Sequence, residues 1–113
     1  MKFGFDFDGT ITKNPAAFKV LIKSLAANEK NKLYLISGTA KSKYEDVCSE
    51  LLTYDINPLY FTEIILKDQE TDIDQTTKWK FQKIDELKIR CFFENREETC
   101  ETLSELCTIL KVI

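Results

Sequence analysis

The sequence predicts an α/β fold: a three-layer, doubly wound parallel sheet of five strands, in one domain that spans residues 1–113 and has no cap domain. Short apolar, aromatic and β-branched runs alternate with amphipathic segments, which is typical of repeated βαβ units. A chain of 113 residues with 43% hydrophobic and 31% charged residues can build and cover one core, but hardly a second domain. No repeat, low-complexity tract or linker interrupts the alternation.

The first half of the chain predicts two strands, each followed by a helix. The first strand, Lys2–Phe7, alternates phenylalanine with small or charged residues and ends at an Asp-Gly turn. Asn14 before Pro15 is typical of a helix start, because asparagine caps free amides and proline fits the first helical position. Leu33–Ile36 predicts the second strand, and residues 41–52 predict the second helix. The two helices carry apolar stripes at helical spacing, namely Phe18, Leu21, Ile22 and Leu25, then Tyr44, Val47, Cys48 and Leu51.

The second half predicts three more strands and two helices. A turn at Asn57-Pro58 precedes an aromatic and β-branched run, and a polar, acidic stretch after that run is the one long loop. Both later helices have apolar residues at helical spacing. The predicted elements are, in order, strand Leu59–Leu66, loop Lys67–Gln75, helix Thr76–Lys88, strand Ile89–Phe93, helix Arg96–Cys107 and strand Thr108–Ile113.

Composition and charge exclude several classes of function. The absence of histidine removes Ser-His-Asp triads, Cys-His dyads and the common zinc sites. The net charge of −3 predicts no general attraction to nucleic acid or anionic membranes, although 16 Lys and Arg residues leave room for a local basic patch. No apolar stretch approaches the ~20 residues that cross a bilayer. Four cysteines without CxxC spacing, and no export signal at the start of the sequence, predict a cytoplasmic protein with reduced thiols.

Residues with obvious chemical use follow three of the predicted strands and open the third helix. Because the carboxyl ends of parallel strands meet at one edge of a sheet, we expect these residues to converge on one crevice. They are Asp6 and Asp8 after the first strand, Ser37 and Gly38 after the second, Glu94 and Asn95 after the fourth, and Lys78 and Lys80 in the helix.

Such a set suits phosphoryl transfer. Two carboxylates held close repel unless a cation compensates them, and Mg²⁺ prefers one or two carboxylates together with phosphate oxygens. A hydroxyl, backbone amides and a lysine ammonium can hold a phosphoryl group as charge develops on it. One aspartate can then act as nucleophile while the other serves as acid and base. The sequence therefore predicts phosphoryl transfer through an acyl-phosphate intermediate.

Residues 6–11, Asp-Phe-Asp-Gly-Thr-Ile, resemble the first motif of the haloacid dehalogenase (HAD) superfamily of phosphatases. The remaining motifs follow in the family's order over essentially the whole chain. Residues 35–38 resemble the second motif, a strand that ends in serine; Lys80, or its close competitor Lys78, resembles the third; and residues 92–96 occupy the place of the acidic fourth. The resemblance implies a small, capless, Mg²⁺-dependent phosphomonoester hydrolase with a HAD-like, Rossmann-type fold.

The resemblance also implies a role for each matched residue. Asp6 attacks phosphorus, and Asp8 protonates the leaving oxygen and later activates water, as in the family's phosphatases. The phosphoryl group is held by Thr10, Ser37, Gly38 and Lys80, and Mg²⁺ by Asp6, the backbone carbonyl of Asp8 and Glu94.

The fourth motif departs from the family's pattern. Family members often have two acids there, adjacent or four residues apart, whereas here the adjacent residue is Asn95 and the acid at the four-residue spacing is Glu98. A weaker or differently shaped metal site is therefore expected. This departure supports a second hypothesis, in which the chain is a catalytically weak or inactive module that binds phosphate and metal.

The absence of a cap bears on the partner. Caps in the family usually insert after the first motif or before the lysine, but residues 11–14 and 67–75 are too short for a folded cap. An open site suits a large substrate, such as a phosphorylated macromolecule or a nucleic-acid end, or a lid from another subunit. The sequence does not name the substrate, the oligomeric state or a nucleic-acid partner.

Two other interpretations are open at the level of sequence. A response-regulator receiver domain also uses acids, a hydroxyl and a lysine on a parallel sheet, but its phosphorylated aspartate follows the third strand, where Asp68 stands here after a lysine. The plain structural interpretation treats the Asp-Gly and Ser-Gly pairs as turns and both lysines as solvated helix charges.

Overall fold

The computed structural model describes residues 1–113 and has a five-stranded, all-parallel sheet in the order β3-β2-β1-β4-β5. The predicted fold class is therefore confirmed, including the absence of a cap. The strands are β1 Lys2–Phe5, β2 Lys32–Ala40, β3 Glu63–Lys67, β4 Cys91–Glu94 and β5 Thr108–Lys111. The helices are α1 Pro15–Ala26, α2 Tyr44–Thr53, α3 Ile73–Leu87 and α4 Glu97–Leu103, with short helical turns at Lys41–Lys43 and Pro58–Tyr60.

Helices cover both faces of the sheet and make the three layers. On one face, α1 and α2 pack on the larger core cluster, and on the other face α3 and α4 pack on the smaller one. Each helix contributes its apolar stripe to the face that it covers, as expected for an amphipathic helix on a sheet. The buried helix residues are Phe18, Ile22, Val47 and Leu51 on the first face, and Ile84 and Leu103 on the second.

The central strand, β1, is where the strand order reverses. Phe5 is in register with Leu35 of β2 on one side and Phe93 of β4 on the other, and its ring stacks on that of Phe93 with 4.8 Å between centroids. The N–H of Asp6 donates to the Phe93 carbonyl oxygen at 2.9 Å, which holds the carboxyl end of β1 against β4. In doubly wound sheets, ligands bind outside the carboxyl ends of the strands at such a reversal.

Several predicted boundaries were wrong, each for a local reason. The third strand begins at Glu63 rather than Leu59, because the Asn57 side chain accepts the Leu59 N–H and folds Pro58–Tyr60 into a helical turn. The third helix begins at Ile73 rather than Thr76, because the Asp72 side chain accepts the Gln75 N–H and caps the helix earlier.

All four cysteines are free, and two of them, Cys91 and Cys100, are buried. None of the helices combines the length and the apolar content that crossing a bilayer requires.

Candidate active site

The turn after β1 positions the first predicted site residues. Asp6 follows the strand with extended backbone and is 5% exposed. Gly9 has a φ of +81°, and a Cβ at this position would lie 2.5 Å from the side-chain amide of Asn95. Glycine therefore satisfies both the left-handed backbone and the close approach. The turn directs Asp8 to the surface and brings Thr10 back, so that its hydroxyl donates to Asp6 Oδ2 at 3.1 Å.

Lys80 lies between two buried carboxylates. Its ammonium nitrogen is 2.8 Å from Asp6 Oδ1 and 2.7 Å from Glu94 Oε1. All three side chains are at most 7% exposed. Asp6 directly follows β1, Glu94 ends β4 and Lys80 lies in α3, so packing of the helix on the sheet assembles the cluster. Because an unpaired buried charge is strongly destabilising, this arrangement is the condition under which the two carboxylates can be buried at all.

Burial is the main reason that the pKa of Asp6 is raised to about 6; the Lys80 ammonium opposes this shift, and the Glu94 carboxylate adds to it. Burial lowers the pKa of Lys80, but Asp6 and Glu94 together outweigh that effect and raise the pKa above its usual value. At neutral pH Asp6 is mostly a carboxylate beside a charged lysine. A poorly solvated, ionised carboxylate is a suitable nucleophile.

A chain of hydroxyls leads from β2 to Asp8. The Thr39 hydroxyl donates to Asp8 Oδ2 at 3.1 Å and lies 2.9 Å from the Ser37 hydroxyl, which therefore donates to it. A contact of Ser37 with the phosphoryl group stays a prediction. Ser37 is 1% exposed, and Thr39 rather than Ser37 lines the cavity next to Asp8. The reason is that β2 continues to Ala40, and alternation puts Ser37 and Thr39 on one face with Thr39 nearer the strand end.

Four oxygen atoms converge beside the Asn95 amide. The amide nitrogen faces them because all four can accept a hydrogen bond. The nitrogen lies 3.0 Å from Asp6 Oδ2, 3.1 Å from Glu94 Oε2, 3.2 Å from the Asp8 carbonyl oxygen and 3.3 Å from Thr10 Oγ1. The first three are the oxygens predicted to hold Mg²⁺, and hard oxygen atoms converging on one point suit that ion. The donor set thus fits magnesium, provided that the Asn95 nitrogen moves away.

This donor set contains two carboxylates and a carbonyl rather than three acids. The Asp8 carboxylate faces Thr39, and no group of three or more His, Cys, Asp or Glu side chains is arranged to hold a metal. Glu94 Oε2 also accepts the backbone N–H groups of Asn95 and Arg96 at 3.0 and 3.2 Å. Glu94 therefore positions Lys80 and the start of α4 in addition to any metal that it holds.

Two predicted alternatives lie outside this cluster. Lys78 and Glu98 are exposed and line a different pocket, formed by residues of α3 and α4. Lys78 is two residues from Lys80, so it projects from a different side of the helix. Asp68, the residue considered for a receiver domain, pairs with Lys41 at 2.8 Å on the surface.

A cavity of about 330 Å³ opens above Asp8 and forms the mouth of the site. Five threonines line it, together with Gly38 and a single apolar residue, Ile73. Thr39 and Arg96, which also line it, were not among the predicted site residues. The hydroxyl two residues after Ser37 was the available signal for Thr39, and the position directly after Glu94-Asn95 was the signal for Arg96.

The comparisons with known proteins bear on the fold. No family model matches the chain, and no curated protein matches it. Among solved structures, a chain described as "Structure of Pnkp1/Rnl/Hen1 complex" superposes with a TM-score of 0.72 at 14% identity. The match covers 98% of this chain and 45% of that chain, so the present chain spans less than half of the other's length. At this identity the likeness supports the three-layer fold alone.

Proposed function

We propose that this protein is a phosphomonoester hydrolase of the HAD type that forms an aspartyl-phosphate intermediate on Asp6. The observation that carries the proposal is the buried Asp6–Lys80–Glu94 cluster at the carboxyl end of the central strand. The cluster lies at the same end of the sheet as an open polar cavity lined by Asp8, and perturbed, buried titratable groups concentrate at functional sites.

The first step would be attack by Asp6 on phosphorus. A bond forms between an Asp6 carboxylate oxygen and phosphorus as the bond to the leaving oxygen breaks, and a proton from Asp8 passes to the leaving oxygen. The Thr39 hydroxyl holds Asp8 Oδ2 at 3.1 Å, which leaves Oδ1 to carry that proton. Lys80 stays charged beside Asp6, where it faces the phosphoryl oxygens.

The second step would reverse these roles. Asp8 takes a proton from water, the water oxygen bonds to phosphorus, and the bond between phosphorus and Asp6 breaks. Asp6 Oδ2, Glu94 Oε2 and the Asp8 carbonyl would hold Mg²⁺, which when bound supplies charge neutralisation for the phosphoryl group. The four free thiols support a reducing compartment, and we propose the cytoplasm.

The test is phosphate release from an aryl phosphate with Mg²⁺. Asp6→Asn is expected to lower turnover by about 10³-fold or more, because the attacking carboxylate is lost. Asp85→Asn, an exposed aspartate at the opposite end of the sheet, is the matched control and should behave as wild type. Turnover that survives in Asp6→Asn would contradict the proposed nucleophile.

One observation favours the second candidate, a binding module without turnover. The Asn95 nitrogen lies among the oxygens that would hold the cation, so a hydrogen-bond donor already occupies the position of the cation. Folded wild-type protein that binds phosphate but releases none from aryl phosphate, nucleotides, sugar phosphates or phosphorylated nucleic-acid ends would favour this candidate.

A further inference from the structure

The mouth of the site contains one cation without a counter-ion. Arg96 is exposed and lines the cavity with Asp8 and Gly38. Its guanidinium takes part in none of the chain's ion pairs. Two acidic residues line the same cavity, namely Asp8, and Glu70, whose carboxylate lies 3.2 Å from the Lys43 ammonium.

The charge of the buried cluster next to the cavity makes this arginine important. In the first step of the proposed reaction Asp8 carries a proton, so the carboxylates of Asp6 and Glu94 beside the Lys80 ammonium leave one negative charge. One divalent cation in the proposed site would turn this into one positive charge, which is less than the negative charge of a phosphate ester dianion. Arg96 is the unpaired positive charge next to the site that can attract the remaining negative charge of the substrate.

The position of Arg96 indicates which part of the substrate it meets. The phosphoryl group that is transferred must reach Asp6, which is 5% exposed, whereas Arg96 is exposed and lines the cavity next to Asp8. We therefore infer that the guanidinium meets the leaving group rather than the transferred phosphoryl group. The rim otherwise offers threonine hydroxyls and only one apolar side chain, so it favours a hydrophilic leaving group over an aryl group.

Building on the proposed function, we propose that Arg96 selects substrates whose leaving group carries a second phosphate. Arginine binds phosphate through two parallel hydrogen bonds from a planar fork, which gives both affinity and orientation. The class includes free organic bisphosphates and strand ends of nucleic acid, because both present a second phosphate near the hydrolysed ester. Arg96 holds that phosphate while Asp6 receives the first.

The experiment measures binding, so that it does not depend on turnover. Asp6→Asn protein is titrated calorimetrically in Mg²⁺ buffer with a nucleoside 5′-monophosphate, the matching 3′,5′-bisphosphate and a short oligonucleotide with a terminal 5′-phosphate. One charge-assisted bidentate contact predicts about tenfold tighter binding of ligands with the second phosphate. Tighter binding of the bisphosphate alone, relative to the monophosphate, would identify a small substrate. Tighter binding of the oligonucleotide alone would identify a strand end. Either outcome supports the proposal.

Adding Arg96→Ala to the Asp6→Asn protein should bring the ratio between the affinity for ligands with a second phosphate and the affinity for the monophosphate close to one. Arg96→Lys should retain part of the preference for the second phosphate. Arg90→Ala is the matched control, since Arg90 is the other arginine of the chain and lies exposed at the opposite end of the sheet. Equal affinity for the monophosphate and both other ligands, or a ratio that Arg96→Ala does not change, would overturn the proposal. Absence of hydrolysis in wild type with an intact binding ratio would instead overturn only the proposed reaction.

Discussion

The two ends of the sheet differ in how far their charged side chains are exposed to solvent. At the amino end a cavity of about 630 Å³ is lined by Asp85, Lys88 and Arg90, all of them exposed. Lys2 donates there to the carbonyl oxygen of Leu87 at 2.8 Å, a neutral partner. At the carboxyl end the cavity lined by Asp8 has about half that volume, yet the same end of the sheet contains a lysine between two carboxylates, all nearly inaccessible to solvent.

Burial of charge, rather than the volume of a cavity, distinguishes the two ends of the sheet. Exposed charges cost little, because water solvates them, and they line the larger cavity without special arrangement. A buried lysine between two carboxylates requires three elements to be positioned together, and desolvating its charges is costly. Such a destabilising arrangement is typical of a functional site.

The largest expected effect separates Lys80 from Lys78. Lys80→Met should destabilise the protein by about 3–5 kcal/mol, because it leaves Asp6 and Glu94 buried without a partner. Lys78→Met, an exposed change on the same helix, should stay within about 0.5 kcal/mol of wild type. Urea denaturation measures both free energies of unfolding. Equal losses in the two variants would show that the cluster does not distinguish this end of the sheet.

A second, smaller effect concerns Asp6 and pH. Its pKa is about 6 in the folded protein against the ordinary aspartate value of 3.8, so between these values the folded state holds more protons than the unfolded state. Stability therefore falls as pH rises from about 4 to about 6, by roughly 3 kcal/mol in total. Asp6→Asn lacks this ionisation and should become more stable than wild type as pH rises to 7.5. Thermal unfolding with a chelator present, at several pH values, measures the difference.

The matched control for that pH series is Asp55→Asn. Asp55 is exposed, and its hydrogen bond and ion pair with Lys19 lower its pKa, which is the opposite shift. Whatever stability it contributes is present above its ordinary pKa and is lost as pH falls. Asp6→Asn that loses stability at pH 7.5 would show that the carboxylate is stabilising and that the inferred burial cost is wrong.

The smallest effect concerns Asn95. Asn95→Asp replaces the donor nitrogen by a ligand oxygen beside Asp6 and Glu94, so Mg²⁺ should bind about tenfold more tightly, since ligand charge tunes affinity for such ions. The cation-free variant should unfold at a lower temperature, because a third carboxylate joins the cluster. Unfolding temperatures with and without Mg²⁺ measure both changes. Asn57→Asp, in a surface turn, is the control; an unchanged response to Mg²⁺ in Asn95→Asp would argue against a cation at this point.

The order of the elements and the residues at the strand ends could be predicted from sequence because both depend on local patterns. Alternating phenylalanines before Asp6 and an Asp-Gly turn are readable within ten residues. The choice between Lys78 and Lys80 could not be predicted from sequence, because it depends on which face of α3 packs on the sheet. The strand boundary at Glu63 was missed because an exposed apolar residue, Leu59, extended the pattern.

The contacts of Asn95 and Thr39 could not be predicted for a different reason. Asn95 meets Thr10 across 85 residues of sequence, and Thr39 meets Asp8 across 31. Such contacts exist only after strands that are distant in sequence have been placed side by side. Composition and spacing carry no information on which oxygen a distant amide will face.

The Asp6–Lys80 ion pair joins residues 74 positions apart, and this separation has a consequence for folding kinetics. No fragment that ends before α3 contains both partners, so the cluster cannot form while the first half of the chain folds alone. Long-range contacts of this kind close late, since the entropy of the intervening loop must be overcome first. Recovery of the cluster during refolding would thus report completion of the whole domain. Synthesis from the amino terminus would leave Asp6 without its lysine until the last third of the chain begins to emerge.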